Sequence, residues 1–201
     1  MKSTHLAALL AATVLSTTVQ AQTLETAIFA GGCFWCVESD FDKVEGVMST
    51  TSGYTGGDLE EPTYEQVSKT ETGHYEAVQI TYDADEVSYE ELLHVFWRSV
   101  DPTDAGGQFC DRGNSYRTAV FAANTDQARI AKSSRKEAAN DLGQDIVTPI
   151  LAASTFWPAE EYHQDYYQKN PVRYRYYRFS CGRDGRVKEL WGDAAYSGVH
   201  S

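Results

Sequence analysis

A run with β-branched and aromatic character, Leu24–Ala30, stops at Gly31-Gly32, and Cys33, Cys36, Val37, Phe41 and Val44 then recur at helical spacing. These signals predict a strand, a tight turn and a helix, with a thiol where the helix begins. The unpaired N–H groups of a first helical turn and the helix dipole favour negative charge, so Cys33 is expected to have a lowered pKa. The thiolate is the nucleophilic form of cysteine. Gly31 and Gly32 carry no side chain and are expected to let the backbone approach a ligand closely. Phe34 and Trp35 add apolar surface beside the sulfur. Cys36 lies one helical turn beyond Cys33 on a neighbouring position, from which it could close a disulfide once Cys33 is oxidised.

The same alternation of signals continues along the chain. Val47–Tyr54 reads as a strand running into the glycine loop Thr55-Gly56-Gly57, and a short helix is expected over Tyr64–Ser68. Tyr75–Tyr82 alternates with period two, the pattern of a strand with one buried face. Ser88 and Glu91 form a capping box ahead of an apolar run, which predicts a helix over residues 89–99. Thr118–Ala122 and Thr148–Ala152 read as strands and Thr125–Leu142 as a helix. Pro158 ahead of Glu160 and Glu161 predicts a last helix over Ala159–Lys169. The aromatic and basic tail from about residue 171 is expected to be irregular. Strands and helices in this order indicate an α+β fold, a two-layer sandwich with a central mixed sheet and helices packed on it.

Composition narrows the class. Hydrophobic residues make up 42% and aromatic residues 12% of the 201, enough to rule out a disordered chain. A formal charge of −12 with no basic cluster outside the tail argues against nucleic acid and anionic membranes as partners. Met1-Lys2, the apolar run Leu6–Leu15 and the small-residue site Val19-Gln20-Ala21 read as a secretory signal peptide cut after Ala21. The apolar run is about half the roughly twenty residues a membrane-spanning helix needs, so no anchor is expected. Residues 22–201 are then a single catalytic domain, periplasmic or secreted and expected to be monomeric. Cys110 and Cys181 stand apart with no paired histidines nearby, which disfavours a metal site, and no cofactor signature is present.

Gly32-Cys33-Phe34-Trp35-Cys36 resembles the signature of the peptide methionine sulfoxide reductase A family. Further blocks similar to that family follow in order: Gly53–Gly57, Pro62–Tyr64, Thr72–Val78, Phe96-Trp97, Asp101-Pro102, Asp111–Arg117, Tyr162–Gln164 and Lys169–Pro171. The resemblance implies a ferredoxin-like core and reduction of methionine sulfoxide, the S epimer, as a repair of oxidised protein. It implies Cys33 as the nucleophile, Phe34 and Trp35 as the seat of the substrate methyl group, and Glu76 as the acid for the sulfoxide oxygen. Tyr64 and Tyr116 would help bind that oxygen, and Asp111 joins the substrate-binding set. The expected acid is chemically reasonable, because burial disfavours a carboxylate and keeps its proton near neutral pH. His74 and His163 are read as packing or hydrogen-bonding residues.

The resemblance further implies a sulfenic acid on Cys33, condensing with a second thiol to a disulfide that thioredoxin or a thioredoxin-like protein reduces. Cys36 and Cys181 both qualify as that resolving thiol. Cys36 has proximity, and the family commonly has glycine at its position; Cys181 sits on a glycine-flanked tail that could swing inward. Cys110 is expected to be a buried, unreactive thiol. Two other readings stay open at this stage: a Cys-x-x-Cys thiol–disulfide oxidoreductase, and a binding protein whose four cysteines form structural bridges.

Overall fold

The computed structural model describes residues 22–200, so the expected signal peptide over residues 1–21 lies outside them. In chain order the elements are β1 (Leu24–Gly31), α1 (Phe34–Phe41), β2 (Val47–Thr55), α2 (Tyr64–Lys69), β3 (Tyr75–Asp83) and α3 (Tyr89–Trp97). A two-residue ladder, β4 (Gly107–Gln108) and β5 (Asp111–Arg112), precedes β6 (Thr118–Ala122) and α4 (Thr125–Leu142). The chain then forms β7 (Ile150–Ala152), β8 (Trp157–Pro158), α5 (Tyr166–Lys169), α6 (Pro171–Ser180) and α7 (Arg183–Trp191).

The main sheet has the order β7-β6-β1-β3-β2-β8. β3 lies between β1 and β2 and is antiparallel to both, β6 is antiparallel to β1, and β7 runs parallel to β6. With α1 between β1 and β2, and α3 between β3 and β6, this is the β-α-β-β-α-β arrangement of a ferredoxin-like core. The mixed sheet with helices packed on it is the α+β architecture expected from the sequence.

Strand alternation sends residues to two cores. Phe29, Val78, Ile80 and Val120 meet Phe34, Val37 and Phe41 of α1 and Leu92, Leu93 and Phe96 of α3. Ala30, Tyr75, Ala77, Ala119 and Phe121 form a smaller cluster on the other face, covered by Phe156 and other residues near β7 and β8. β3 is therefore buried along its Val78 and Ile80 face, as expected, and its other face is covered at Tyr75 and Ala77 while Gln79 and Thr81 stay half-buried. Each fully buried aromatic or branched side chain of the larger core contributes about 1.5–3 kcal/mol.

Local signals set the helix ends. The Ser88–Glu91 capping box is formed, and α3 stops at Trp97, earlier than expected, where the Ser99 hydroxyl donates to the Phe96 carbonyl at 3.1 Å. Asn124 caps α4 and Gly143 ends it in the left-handed conformation. The expected helix over Ala159–Lys169 is largely absent, and only Tyr166–Lys169 is α-helical. Pro158 instead sits in the edge strand β8, where a missing N–H is tolerated. The Gln164 side chain then exchanges two 2.9 Å hydrogen bonds with the backbone of Ser52.

The tail from residue 171 is not irregular but forms α6 and α7. Pro171 occupies the first turn of α6, as its fixed φ allows. Tertiary contacts override the modest helix propensity of Tyr-Arg-Tyr-Tyr-Arg-Phe. Arg178 pairs with buried Asp40 at 2.7 Å. The fully buried Arg183 guanidinium donates to the carbonyls of Gly31 at 3.0 Å and Ser99 at 2.9 Å. The tail is thus bolted to the turn before Cys33.

Candidate active site

Cys33 is the N-cap of α1, and its carbonyl accepts the N–H of Cys36 at 3.1 Å. Its side chain is buried. The preceding Gly32 has φ +82°, and a Cβ there would lie 2.5 Å from Cβ of Gln108. A Cβ on Gly31 would meet Val37 at 2.8 Å and Val100 at 3.0 Å. The two glycines therefore allow the turn to pack against the protein itself rather than against a ligand, which corrects the sequence expectation. Gln108 is held by its own amide, which accepts from the N–H of Asp101 and donates to that residue's carbonyl.

Glu76 enters from β3, opposite Tyr54 in the register with β2. Its parity places it on the face that carries Val78 and Ile80, toward α1. Its Oε2 accepts the backbone N–H of Phe34 at 3.1 Å. Burial pushes the carboxyl up to about 8, with the charges of Asp111 and Cys36 adding to the shift; the Phe34 N–H and the Tyr116 hydroxyl oppose it. At neutral pH Glu76 is mainly a carboxylic acid, a proton donor beside a sulfur. Burial first, and then the Glu76 charge, raise Tyr64 to about 12 and Tyr116 further, so both stay protonated donors.

Tyr64 opens α2 directly after a Thr63–Gln66 capping box. Its N–H donates to Oε1 of Glu160 at 2.8 Å, while Oε2 of Glu160 accepts the Tyr54 hydroxyl at 2.9 Å. Glu160 thus fixes Tyr64 and was not legible as a site residue. Trp35 is held by a run that the sequence offered only as the Tyr162–Gln164 block. Its indole N–H donates to Nδ1 of His163 at 3.1 Å. Tyr166 stacks on Trp35 at 3.7 Å between ring centroids, inclined by 7°, and Tyr177 meets it edge-on at 5.8 Å. His163 is buried, and burial lowers its pKa, so it is a neutral acceptor as its assigned packing role requires. His74 bridges the Gly57 N–H and the Leu59 carbonyl, also a structural role.

The resting thiols correct the expectation of a lowered Cys33 pKa. Burial pushes the Cys33 thiol up, and the neighbouring Cys36, Glu76 and Asp111 act in the same direction. Cys36 is lowered by its hydrogen bond from Cys33, helped by Arg183 and Arg178 despite burial. The helix start is present, but desolvation outweighs it. A neutral Glu76 removes one of the charges opposing a Cys33 thiolate.

A thiol at a helix start, a protonated acid tied to the next residue's N–H, and an aromatic wall together suit a small polar oxide bearing an apolar group. Comparison with known proteins agrees. The family model for peptide methionine sulfoxide reductase matches residues 25–195. The chain belongs to the peptide methionine sulfoxide reductase A family. It is 57% identical over 173 residues to peptide methionine sulfoxide reductase MsrA 2 of Rhizobium meliloti, covering 86% of each chain. Among solved structures it is similar to methionine sulfoxide reductase A of Corynebacterium diphtheriae, 33% identical, with a TM-score of 0.71 and coverage of 74% of this chain and 76% of that one. Reduced Mxr1 of Saccharomyces cerevisiae is similar at 29% identity, TM-score 0.71, covering 74% of this chain and 86% of that one.

The other two cysteines differ from the sequence expectation. Cys110 is exposed rather than buried and is bridged to Cys181, with 4.9 Å between their Cα atoms. Cys181 closes α6 and does not ride on a loose tail. Cys33 and Cys36 are free, which excludes the reading in which all four cysteines form structural bridges. Asp111, next to Cys110, pairs with neither Arg112 nor Arg117; its carboxylate accepts the Tyr177 hydroxyl. That bond joins the β5 strand to α6 at the edge of the Trp35 wall.

Proposed function

We propose that this MsrA-family chain reduces the S epimer of methionine sulfoxide, with the pairing of Cys33 and a protonated Glu76 across the Phe34 N–H as the observation that carries the reading. The substrate methyl group sits against Phe34 and Trp35. The sulfoxide oxygen meets Glu76, Tyr64 and Tyr116, with Asp111 closing the same side through Tyr177. The Cys33 sulfur attacks the sulfoxide sulfur, and Glu76 delivers its proton to the oxygen, which must be protonated to leave sulfur. The bond so formed between the two sulfurs breaks as the protonated oxygen passes to Cys33 and the Cys33 thiol proton returns to Glu76, so Cys33 ends as a sulfenic acid and methionine leaves with the two electrons that Cys33 loses.

Cys36 is the first resolving thiol. It lies one turn from Cys33, has a pKa lowered by the hydrogen bond from Cys33 and then by Arg183 and Arg178, and on attack forms the Cys33–Cys36 disulfide with loss of water. Cys181 is engaged with Cys110 and is not the first resolving thiol. A thioredoxin-like dithiol then reduces the disulfide and is itself oxidised. The leader pattern at residues 1–21 supports export, so the partner belongs to the periplasm or to the outside of the cell, and the substrate is oxidised methionine in proteins there. No helix among the described residues is long and apolar enough to cross a membrane.

Steady-state reduction of each sulfoxide epimer with a supplied dithiol tests the reading. It predicts turnover of the S epimer, abolished by Cys33→Ser. Turnover of insulin disulfides with no reaction on either epimer would replace it with a thiol–disulfide oxidoreductase.

A further inference from the structure

Four consecutive residues, His163 to Tyr166, are each tied to the region around Cys33. His163 takes the Trp35 N–H, Gln164 clamps the backbone of Ser52, Asp165 donates its N–H to Oε1 of Glu38 at 3.1 Å, and Tyr166 stacks on Trp35. Glu38 is the one member of this set with a buried carboxyl that the chemistry above does not use. Asp165 has φ +52°, a conformation a non-glycine residue holds only where its surroundings impose it. It is also the residue from which α5 starts, with Tyr166 first in the helix.

We propose that Glu38 is a positioning residue for substrate binding: its carboxyl holds the turn at Asp165 so that Tyr166 lies flat on Trp35 and fixes the wall that receives the substrate methyl group. The role assigned to that wall rests on the function proposed above. Oε2 of Glu38 and Oγ of Ser52 are both buried and both lack a partner. A hydrogen bond between Oε2 and the Ser52 hydroxyl satisfies both atoms at once, while Oε1 keeps the Asp165 N–H. The rest of the surroundings favours the neutral acid. Burial pushes Glu38 up to about 7, and Asp42 on α1 and Asp165 before α5 both oppose its ionisation; the Asp165 N–H and Ser52 on β2 act the other way. Asp42 is occupied by the hydroxyls of Thr50 and Tyr167, and Asp165 by Lys169 at 3.6 Å. Among the described residues no cation pairs with Glu38, so ionisation places a third carboxylate charge beside two others, while Oε1 accepts the Asp165 N–H in either protonation state.

Two readouts test this on the full-length protein, one with turnover and one without. Substrate KM and kcat are measured from pH 6 to pH 8 for the wild type, Glu38→Gln, Glu38→Ala and Tyr166→Leu, and for Glu38→Ala combined with Tyr166→Leu. Glu38→Ala should raise KM about tenfold with much less change in kcat, the scale of one lost buried hydrogen bond. Added to Tyr166→Leu it should raise KM little further, because the two act through one contact. Glu38→Gln, an isostere whose amide oxygen still accepts the Asp165 N–H, should keep a KM close to that of the wild type at each pH. Near-ultraviolet circular dichroism reads the Trp35–Tyr166 stack directly: the band that Tyr166→Leu removes should be lost in Glu38→Ala and kept in Glu38→Gln. A wild-type band in Glu38→Ala, a Glu38→Gln KM as high as that of Glu38→Ala, or additive KM effects in the double variant would overturn the proposal. A wild type that reduces no sulfoxide would refute the proposed function instead and leave the dichroism result to decide the role of Glu38.

Discussion

Oε2 of Glu76 accepts the backbone N–H of Phe34 at 3.1 Å, which ties a buried acid on the central strand to the residue that follows the nucleophilic sulfur. The acid and the thiol are thereby held in one frame, and the chemistry depends on which of them carries a proton.

Glu76 titrates at about 8, far above an ordinary carboxyl. The neutral acid prevails below that value and is lost as pH rises through it, so the sulfoxide step should slow above pH 8 by about tenfold per pH unit. Glu76→Gln should slow single-turnover methionine release by about a hundredfold and leave alkylation of Cys33 intact. Stability follows the same sign. The folded state holds this proton more tightly than the unfolded chain, so the contribution is full at acid pH and declines toward pH 8. Denaturation at pH 8.5 should find Glu76→Gln more stable than the wild type; equal stabilities would contradict the assigned shift.

Cys36→Ser should release one equivalent of methionine and stall with a sulfenic acid on Cys33. Mass spectrometry after trapping with a sulfenic-acid reagent checks this. Unimpaired multiple turnover in Cys36→Ser would assign the resolving step elsewhere.

Gly32→Ala should destabilise the fold by about 2–4 kcal/mol, since it combines a left-handed backbone with overpacking. The new Cβ would lie 2.5 Å from Cβ of Gln108. Urea denaturation measures it, and a loss below about 0.5 kcal/mol, the range of neutral surface substitutions, would show that the turn relaxes freely.

Arg183→Met removes both donors to the Gly31 and Ser99 carbonyls and one of the two arginines near Asp40. Truncating one side of a buried charged network costs about 3–5 kcal/mol. The midpoint of urea unfolding should fall accordingly, and the Cys36 thiol should titrate higher, because Arg183 is one of the cations that lower it. An unchanged Cys36 titration would separate the tail's structural role from its electrostatic one.

Much of this was legible in local chemistry. Gly31-Gly32 ahead of Cys33 announced the strand–turn–helix, Ser88 and Glu91 announced α3, and Asn124 and Gly143 bound α4 where the pattern put it. What escaped depends on contacts distant in sequence. α6 and α7 form because Arg178 reaches Asp40 and Arg183 reaches the Gly31 turn, neither of which propensity encodes. The raised Cys33 pKa is not legible because a helix start is visible in sequence and desolvation is not. Pro158 reads as a helix start until the edge strand that accepts it is known. Glu160, Tyr166 and Tyr177 are common residue types whose part in the site appears only when Glu160 meets the start of α2 and when α5 and α6 converge on Trp35.

The most direct test of the account is rapid-quench single turnover of the fully reduced protein with each methionine sulfoxide epimer, followed by disulfide mapping. One equivalent of methionine from the S epimer, with Cys33 joined to Cys36 and nothing released by Cys33→Ser, is the predicted result. Methionine release that survives Cys33→Ser, or none from either epimer, would contradict it.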